Sequence, residues 1–172
     1  MTTVILGEHP EVETLIEQRR LLGQDARDEV WEGVYYMTPH AHAHHGLVQI
    51  RLGRVLDDLA TPLGLTVGAE FNLGKPDDYR VPDLGVHHGV PDGLYVATAA
   101  LVAEILSPND ATFEKFGFYA RHGVAEIMVV DVGLRSIRLW TLDAGAEQYT
   151  QTGRSDLLGI TSDELQARIS WP

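Results

Sequence analysis

A chain of 172 residues, 44% of them hydrophobic, is long enough for one domain with a sizeable core and too short for two comfortable ones. No apolar run approaches the roughly 18 residues of a membrane helix, and the opening MTTVILGEHPEVE lacks the basic flank and apolar stretch of a signal peptide. A cytoplasmic protein with no membrane partner is therefore expected. The absence of cysteine excludes disulfides and thiolate metal sites, and a net charge of -12 counts against nucleic-acid binding unless a few basic residues gather at one place.

Along the chain, Val12, Leu15 and Ile16 recur at helical intervals, so Pro10 to Leu22 is predicted to be a short amphipathic helix. Glu29 to Met37, EVWEGVYYM, is aromatic and β-branched around Gly33 and reads as a hairpin. Thr38 to His44 is a loop. Val48, Leu52, Val55, Leu56 and Leu59 then mark a helix that Pro62 and Gly64 end, and this helix is expected to cover the sheet. Leu65 to Phe71 reads as a strand, and GKPDDYR carries turn chemistry.

Val81 to His87 and Ala100 to Leu106 are apolar at nearly every position, the pattern of strands covered on both faces, and each carries a carboxylate. A loop at Ser107 to Asp110 leads into a helix over Ala111 to His122, stopped by Gly123. Ile127 to Val130 and Ile137 to Leu142 are two more strands, and Ser162 to Ile169 is a short helix capped by Thr161 or Ser162. There are no repeats, linkers or low-complexity segments, so residues 1–172 read as one α/β domain with its core at about 29–142.

The two carboxylates in the buried strands are the informative exceptions. A charged acid there costs several kcal/mol unless it is paired, protonated or bound to a cation. Alternation puts Asp83 on a face with Val81 and Gly85, and Glu104 on a face with Val102 and Leu106. If the two strands are neighbours with those faces matched, the acids converge, and two nearby carboxylates suit magnesium, with manganese as its substitute. Lys115, in the following helix, is either the cation that neutralises a scissile phosphate and orients the attacking water or a solvated surface residue.

Pro82-Asp83-Leu84, Glu104-Ile105-Leu106-Ser107-Pro108, Lys115, Tyr119-Ala120, Gly123-Val124-Ala125-Glu126 and Val130-Asp131 stand in an order that resembles the Uma-type restriction endonucleases. Trp31-Glu32-Gly33, Met37-Thr38-Pro39 and a histidine opening the next helix extend the resemblance over roughly Glu29 to Leu142. It implies the restriction-endonuclease-like fold, a central mixed sheet flanked by helices with an N-terminal helix and hairpin, and the acid pair and lysine of the PD-(D/E)xK nucleases. Asp83 and Glu104 match the acids. The usual lysine position falls on Leu106, and Lys115 occupies the place to which the family's lysine has moved. The implied function is magnesium-dependent hydrolysis of DNA, with Glu70 or Glu32 as a further acid. By analogy with superfamily nucleases, a homodimer is expected. The competing reading is a catalytically silent domain of the same fold that binds nucleic acid or protein.

Other groups carry paired readings. His45 either contacts the site or substrate phosphate, or makes a helix-terminal hydrogen bond. Glu70 is a third metal ligand or an exposed acid, and Glu32 a catalytic acid or a turn cap. Tyr119, one turn beyond Lys115, lines the substrate path or packs in the core. His40, His42 and His44 form a zinc or nickel site only if their segment is extended, against which Pro39 argues. Glu126 and Asp131 read as structural.

Overall fold

The computed structural model describes residues 3–5, 10–39, 41–108, 111–143 and 145–172. Short strand β1 (Thr3–Ile5) and helix α1 (Pro10–Leu21) come first. The hairpin β2 (Glu29–Trp31) and β3 (Val34–Met37) turns at Glu32-Gly33, where both residues take positive φ. Helix α2 (Ala43–Ala60) opens with the His42 side chain accepting from the His44 amide. It closes through a 3-10 turn, Thr61–Leu63, that contains Pro62.

Next come β4 (Thr66–Ala69), the hairpin β5 (Asn72–Lys75) and β6 (Asp78–Arg80), and β7 (Leu84–His87). The GKPDDYR stretch is thus a turn with a strand on each side. Strands β8 (Tyr95–Val96) and β9 (Leu101–Ile105) follow. The helix expected from Ala111 divides into a 3-10 turn, Thr112–Lys115, and α3 (Phe116–Arg121). Gly123, at φ 67°, reverses the chain after α3 in the left-handed conformation that glycine adopts without a Cβ clash. The rest is β10 (Glu126–Asp131), β11 (Ser136–Asp143), β12 (Gln148–Thr152), β13 (Arg154–Ser155), β14 (Ile160–Thr161) and α4 (Ser162–Arg168). Thr161 and Glu164 form a reciprocal capping box at the start of α4, which fixes the last helix where its sequence predicts it.

Two six-stranded sheets result. The first has the order β1-β3-β2-β6-β5-β8 and the second β12-β11-β10-β9-β7-β4, with β13 and β14 as a separate ribbon. The second sheet is mixed: β9 and β10 are parallel, while β7 runs antiparallel to β9. One of its faces is covered by α2 and α4. Val48, Leu52 and Leu56 of α2 are inaccessible to solvent and pack with Val86, Leu101, Ala103, Met128 and Leu139. Each such aliphatic side chain contributes roughly 1.5–3 kcal/mol of burial. The opposite face carries Val102, Ile127, Val129 and Trp140 under Phe118 and Tyr119 of α3, together with Leu73 of the first sheet. Strands β7 and β9 are buried at every residue, as their two-sided apolar pattern requires. Among the described residues no helix is long and apolar enough to cross a membrane.

Candidate active site

The pairing of β7 with β9 decides whether the two acids meet. Leu84 stands opposite Ala103, so continuing the register one residue puts Asp83 opposite Glu104 on the same face. Asp83 lies just before β7, where the chain is still free to aim its side chain. Its Oδ2 accepts the Ile105 amide at 2.7 Å and its Oδ1 lies 3.2 Å from His45 Nε2. His45 is the third residue of α2, so the helix start and the end of β9 are clipped together through one carboxylate.

Glu104 is 4% exposed and shares its oxygens between two donors from the segment above it. Lys115 Nζ lies 3.1 Å from Oε1 and 3.3 Å from Oε2, and the Tyr119 hydroxyl donates to Oε1. Lys115 is the last residue of the 3-10 turn rather than the second turn of an α-helix. Its ammonium reaches Glu104 of β9, with Tyr119 one turn further on and fully buried. The same ammonium donates to Glu29 Oε1 at 2.9 Å. Glu29 is itself held by the Val81 amide at 2.7 Å and the Trp31 indole at 2.7 Å. Lys115 therefore joins β2 of one sheet to β9 of the other.

Charge balance explains the titration of this cluster. Burial pushes Glu104 up, Lys115 pulls it back, and the neighbouring Asp83 and Glu29 charges push it up again, to about 8. Burial disfavours the Lys115 ammonium, but the charges and hydrogen bonds of Glu104 and Glu29 outweigh it and hold the group protonated well beyond the usual lysine range. Burial and the Glu104 charge raise the Tyr119 phenol, which stays a donor. Burial alone would lower His45, yet the hydrogen bond and charge of Asp83 leave its pKa raised.

Of the residues singled out in the sequence, Asp83, Glu104, Lys115, Tyr119 and His45 come together. Glu70 does not share their partners: its carboxylate pairs with Arg27 and accepts from Gln49 Nε2 at 3.1 Å. The same Gln49 amide donates to the Asp83 carbonyl at 2.9 Å, so Glu70 neighbours the Asp83 main chain rather than Glu104. Glu32 lies outside the cluster, exposed at the hairpin turn and 3.5 Å from Arg121. Glu29 is a further acid in contact with Lys115, and sequence reading passed over it. The usable signal was the one that found Asp83 and Glu104, an acid inside an apolar strand, but at a strand end it reads as a boundary.

His42 and His44 form an edge-on ring pair at the α2 start, and His40 lies outside the described residues. Glu126 is structural, accepting from the Ser155 hydroxyl and from the amides of Asp156 and Leu157 at 2.8 and 3.0 Å. Asp131 Oδ1 accepts the Leu134 amide at 2.9 Å.

The donor set is all oxygen at its acidic side, with three carboxylates facing one ammonium and one imidazole. Three carboxylates against one ammonium and one imidazole leave hard oxygen donors of the kind that suit magnesium or manganese. Among the described residues no three acids or imidazoles are already gathered around one point. Such an ion would compete with Lys115 and Tyr119 for Glu104.

Three comparisons with known proteins bear on this geometry. A solved structure described as "a putative nuclease belonging to DUF820", from Anabaena variabilis, superposes with a TM-score of 0.67 at 15% identity, covering 82% of this chain and 90% of that one. At that identity the likeness establishes the restriction-endonuclease-like α/β fold. No curated protein matches the chain. Residues 12–168 match the family model described as "Uma2: Putative restriction endonuclease". That match spans the second sheet, all of the first but β1, and every residue of the acid and lysine cluster, and the chain belongs to the Uma2 family.

Proposed function

We propose that the chain is a divalent-metal-dependent phosphodiesterase that cuts DNA at the Asp83, Glu104 and Lys115 cluster. The observation that carries the reading is the convergence of a cross-strand acid pair and a buried ammonium at the end of β9. Family membership and the nuclease named for the structural neighbour support it.

Asp83 and Glu104 would hold magnesium or manganese through carboxylate oxygens. Bound there, the ion supplies Lewis-acid polarisation of the phosphoryl group and lowers the pKa of a coordinated water. Lys115, kept protonated by Glu104 and Glu29, is an electrostatic group and not a base: its ammonium would stabilise negative charge developing on the phosphoryl oxygens. Tyr119 holds the Glu104 carboxyl in one orientation, and His45 does the same for Asp83. Cutting both strands of a duplex calls for two such sites, so a homodimer forms part of the proposal.

The test is cleavage of single- and double-stranded DNA and of RNA in magnesium or manganese by the purified protein and by Asp83→Ala, Glu104→Ala and Lys115→Ala. Wild-type cutting lost in all three variants is the expected result. Absence of cutting on every substrate, or variants indistinguishable from wild type, overturns it. Calorimetry with magnesium or manganese separates the silent-domain reading, which predicts no heat that depends on Glu104.

A further inference from the structure

On the face of the second sheet that carries the cluster, strand register sets up a transverse row. Val129 of β10 pairs with Glu104 on one side and with Arg138 of β11 on the other. Paired residues project from the same face, so Arg138 stands two strands from Glu104, on the order of 10 Å away. Asp83 extends the row on the far side.

Arg138 is half-buried, and among the described residues it has neither a hydrogen bond nor an ion pair. Its guanidinium rests against two rings instead, 5.4 Å from the centroid of Phe113 and 5.6 Å from that of Trp140. Arg19, Arg27 and Arg80, by contrast, are committed to carboxylates. Phe113 sits two residues before Lys115 on the same 3-10 turn and is 49% exposed. Phe116 and Trp140 back its ring at centroid distances of 5.5 and 5.9 Å.

An uncommitted guanidinium fork beside a half-exposed aromatic face offers two different kinds of contact. The fork suits a phosphodiester oxygen pair, and the ring suits the π-face of an unpaired base. Both stand on the segment and the sheet row that build the acid and lysine cluster. A chain with 13 basic against 25 acidic residues must draw its attraction for a polyanion from few cations, so an uncommitted one in this row matters disproportionately.

We infer that Arg138 and Phe113 form a nucleotide subsite for single-stranded nucleic acid beside the cluster, the guanidinium taking a backbone phosphate and the ring an unstacked base. The inference rests on the phosphodiesterase reading for its biological setting. Its test does not require cleavage.

Fluorescein-labelled oligothymidylate of twelve nucleotides is titrated with the full chain in EDTA, by anisotropy, across a series of low salt concentrations. Arg138→Gln is expected to weaken binding at least about five-fold and to flatten the slope of log K against log salt by about 0.7, the share of one phosphate contact on a single strand. Arg138→Lys is expected to keep the slope. Phe113→Ala is expected to weaken binding by about five-fold or more with the slope unchanged, and to leave an abasic oligomer bound as tightly as by wild type. Thermal unfolding midpoints matching wild type show that the variants fold.

Folded Arg138→Gln and Phe113→Ala proteins that bind like wild type overturn the subsite, as does a wild type that binds no oligonucleotide at low salt. If the protein nevertheless cuts DNA, that failure strikes the subsite alone. Arg138-dependent binding with no cutting in any metal supports the subsite and removes the phosphodiesterase reading.

Discussion

Replacing Lys115 by methionine keeps the stem of the side chain and deletes the charge that Glu29 and Glu104 share. Removing one partner from a buried pair costs roughly 3–5 kcal/mol, because the other is left charged and desolvated. Here the cost depends on pH. In the wild type Glu104 titrates near 8, far above the roughly 4.3 of an unfolded chain. The folded state therefore binds the extra proton between those values. The stabilisation linked to Glu104 protonation is full below the unfolded pKa and is lost as pH rises through about 8, at no more than about 1.4 kcal/mol per pH unit.

Without Lys115 the Glu104 pKa climbs further, so the variant goes on losing stability above pH 8, where the wild type levels off. At pH 6 the Glu104 carboxyl is protonated in both proteins, so losing the Lys115 hydrogen bonds to Glu29 and Glu104 leaves no charge on Glu104, and a penalty of about 1–2 kcal/mol is expected. At pH 9 the penalty grows to about 3 kcal/mol or more. Urea unfolding at half-unit steps from pH 5 to 9, with m held constant, reads both values. Adding Glu104→Gln to the variant should abolish the growth. A penalty that is flat with pH, or larger at pH 6 than at pH 9, refutes the assignment of the shared proton to Glu104.

Four further perturbations follow from the packing. His87 is buried with its Nε2 unpartnered; burial lowers its pKa and the Thr98 main chain only partly offsets this. The unfolded chain thus takes up a proton that the fold refuses, so stability is full above about pH 6.5 and falls below it, and His87→Leu should flatten urea midpoints between pH 7 and 5. Asp28 accepts from Arg19 Nε at 2.7 Å, the Tyr35 hydroxyl at 2.8 Å and the Thr38 amide at 2.8 Å, so Asp28→Asn should cost about 2–3 kcal/mol and speed hydrogen exchange in α1. Leu52→Ala opens the core beneath α2 and should lower stability by about 2–5 kcal/mol in urea melts. At Gly85 an added methyl would stand 2.5 Å from Phe71 Cζ and 2.9 Å from His87 Nε2, so Gly85→Ala should cost about 1–3 kcal/mol and shift the Phe71 ring signals in NMR.

Legibility in the sequence followed the length of the pattern. Helix α2 repeats its apolar spacing over about three turns, so Val48, Leu52 and Leu56 were readable as core, and β7 and β9 announced two-sided burial through unbroken apolar runs. The short strands β5, β6 and β8 were not readable. They carry two to four residues each, and their identity comes in part from partners distant in sequence, as when Val30 faces Tyr79 and Asn72 faces Tyr95. Arg80 shows the limit sharply. It looks like a turn residue but is buried between the Trp31 and Phe118 rings, 4.4 and 4.1 Å from their centroids. At the candidate site, the acids were visible because strand period and burial conflict at Asp83 and Glu104. Glu29 was not, because its partners Lys115 and Val81 are 86 and 52 residues away.

The position of the lysine has a structural consequence. Leu106, two residues past Glu104, stands where a strand lysine would, but it packs against the apolar cluster under α3. The cation instead arrives from the covering layer, and among the described residues only Glu29 of the other sheet fixes it from outside β9. A strand-borne lysine keeps its distance from the acid through one backbone. Here the distance between ammonium and Glu104 depends on how the β2 hairpin sits against the second sheet. Arg80 ties that hairpin down by donating to the Val30 carbonyl at 2.8 Å while its plane lies over Phe118 of α3. Arg80 is thus a positioning residue for Lys115 without touching it. Arg80→Lys keeps the charge but loses the planar stack and the fork. It should therefore loosen the Lys115 contact, which would appear as faster exchange of the Val81 amide that Glu29 protects. Unchanged exchange at Val81 would show that the hairpin is held by its strand pairing alone.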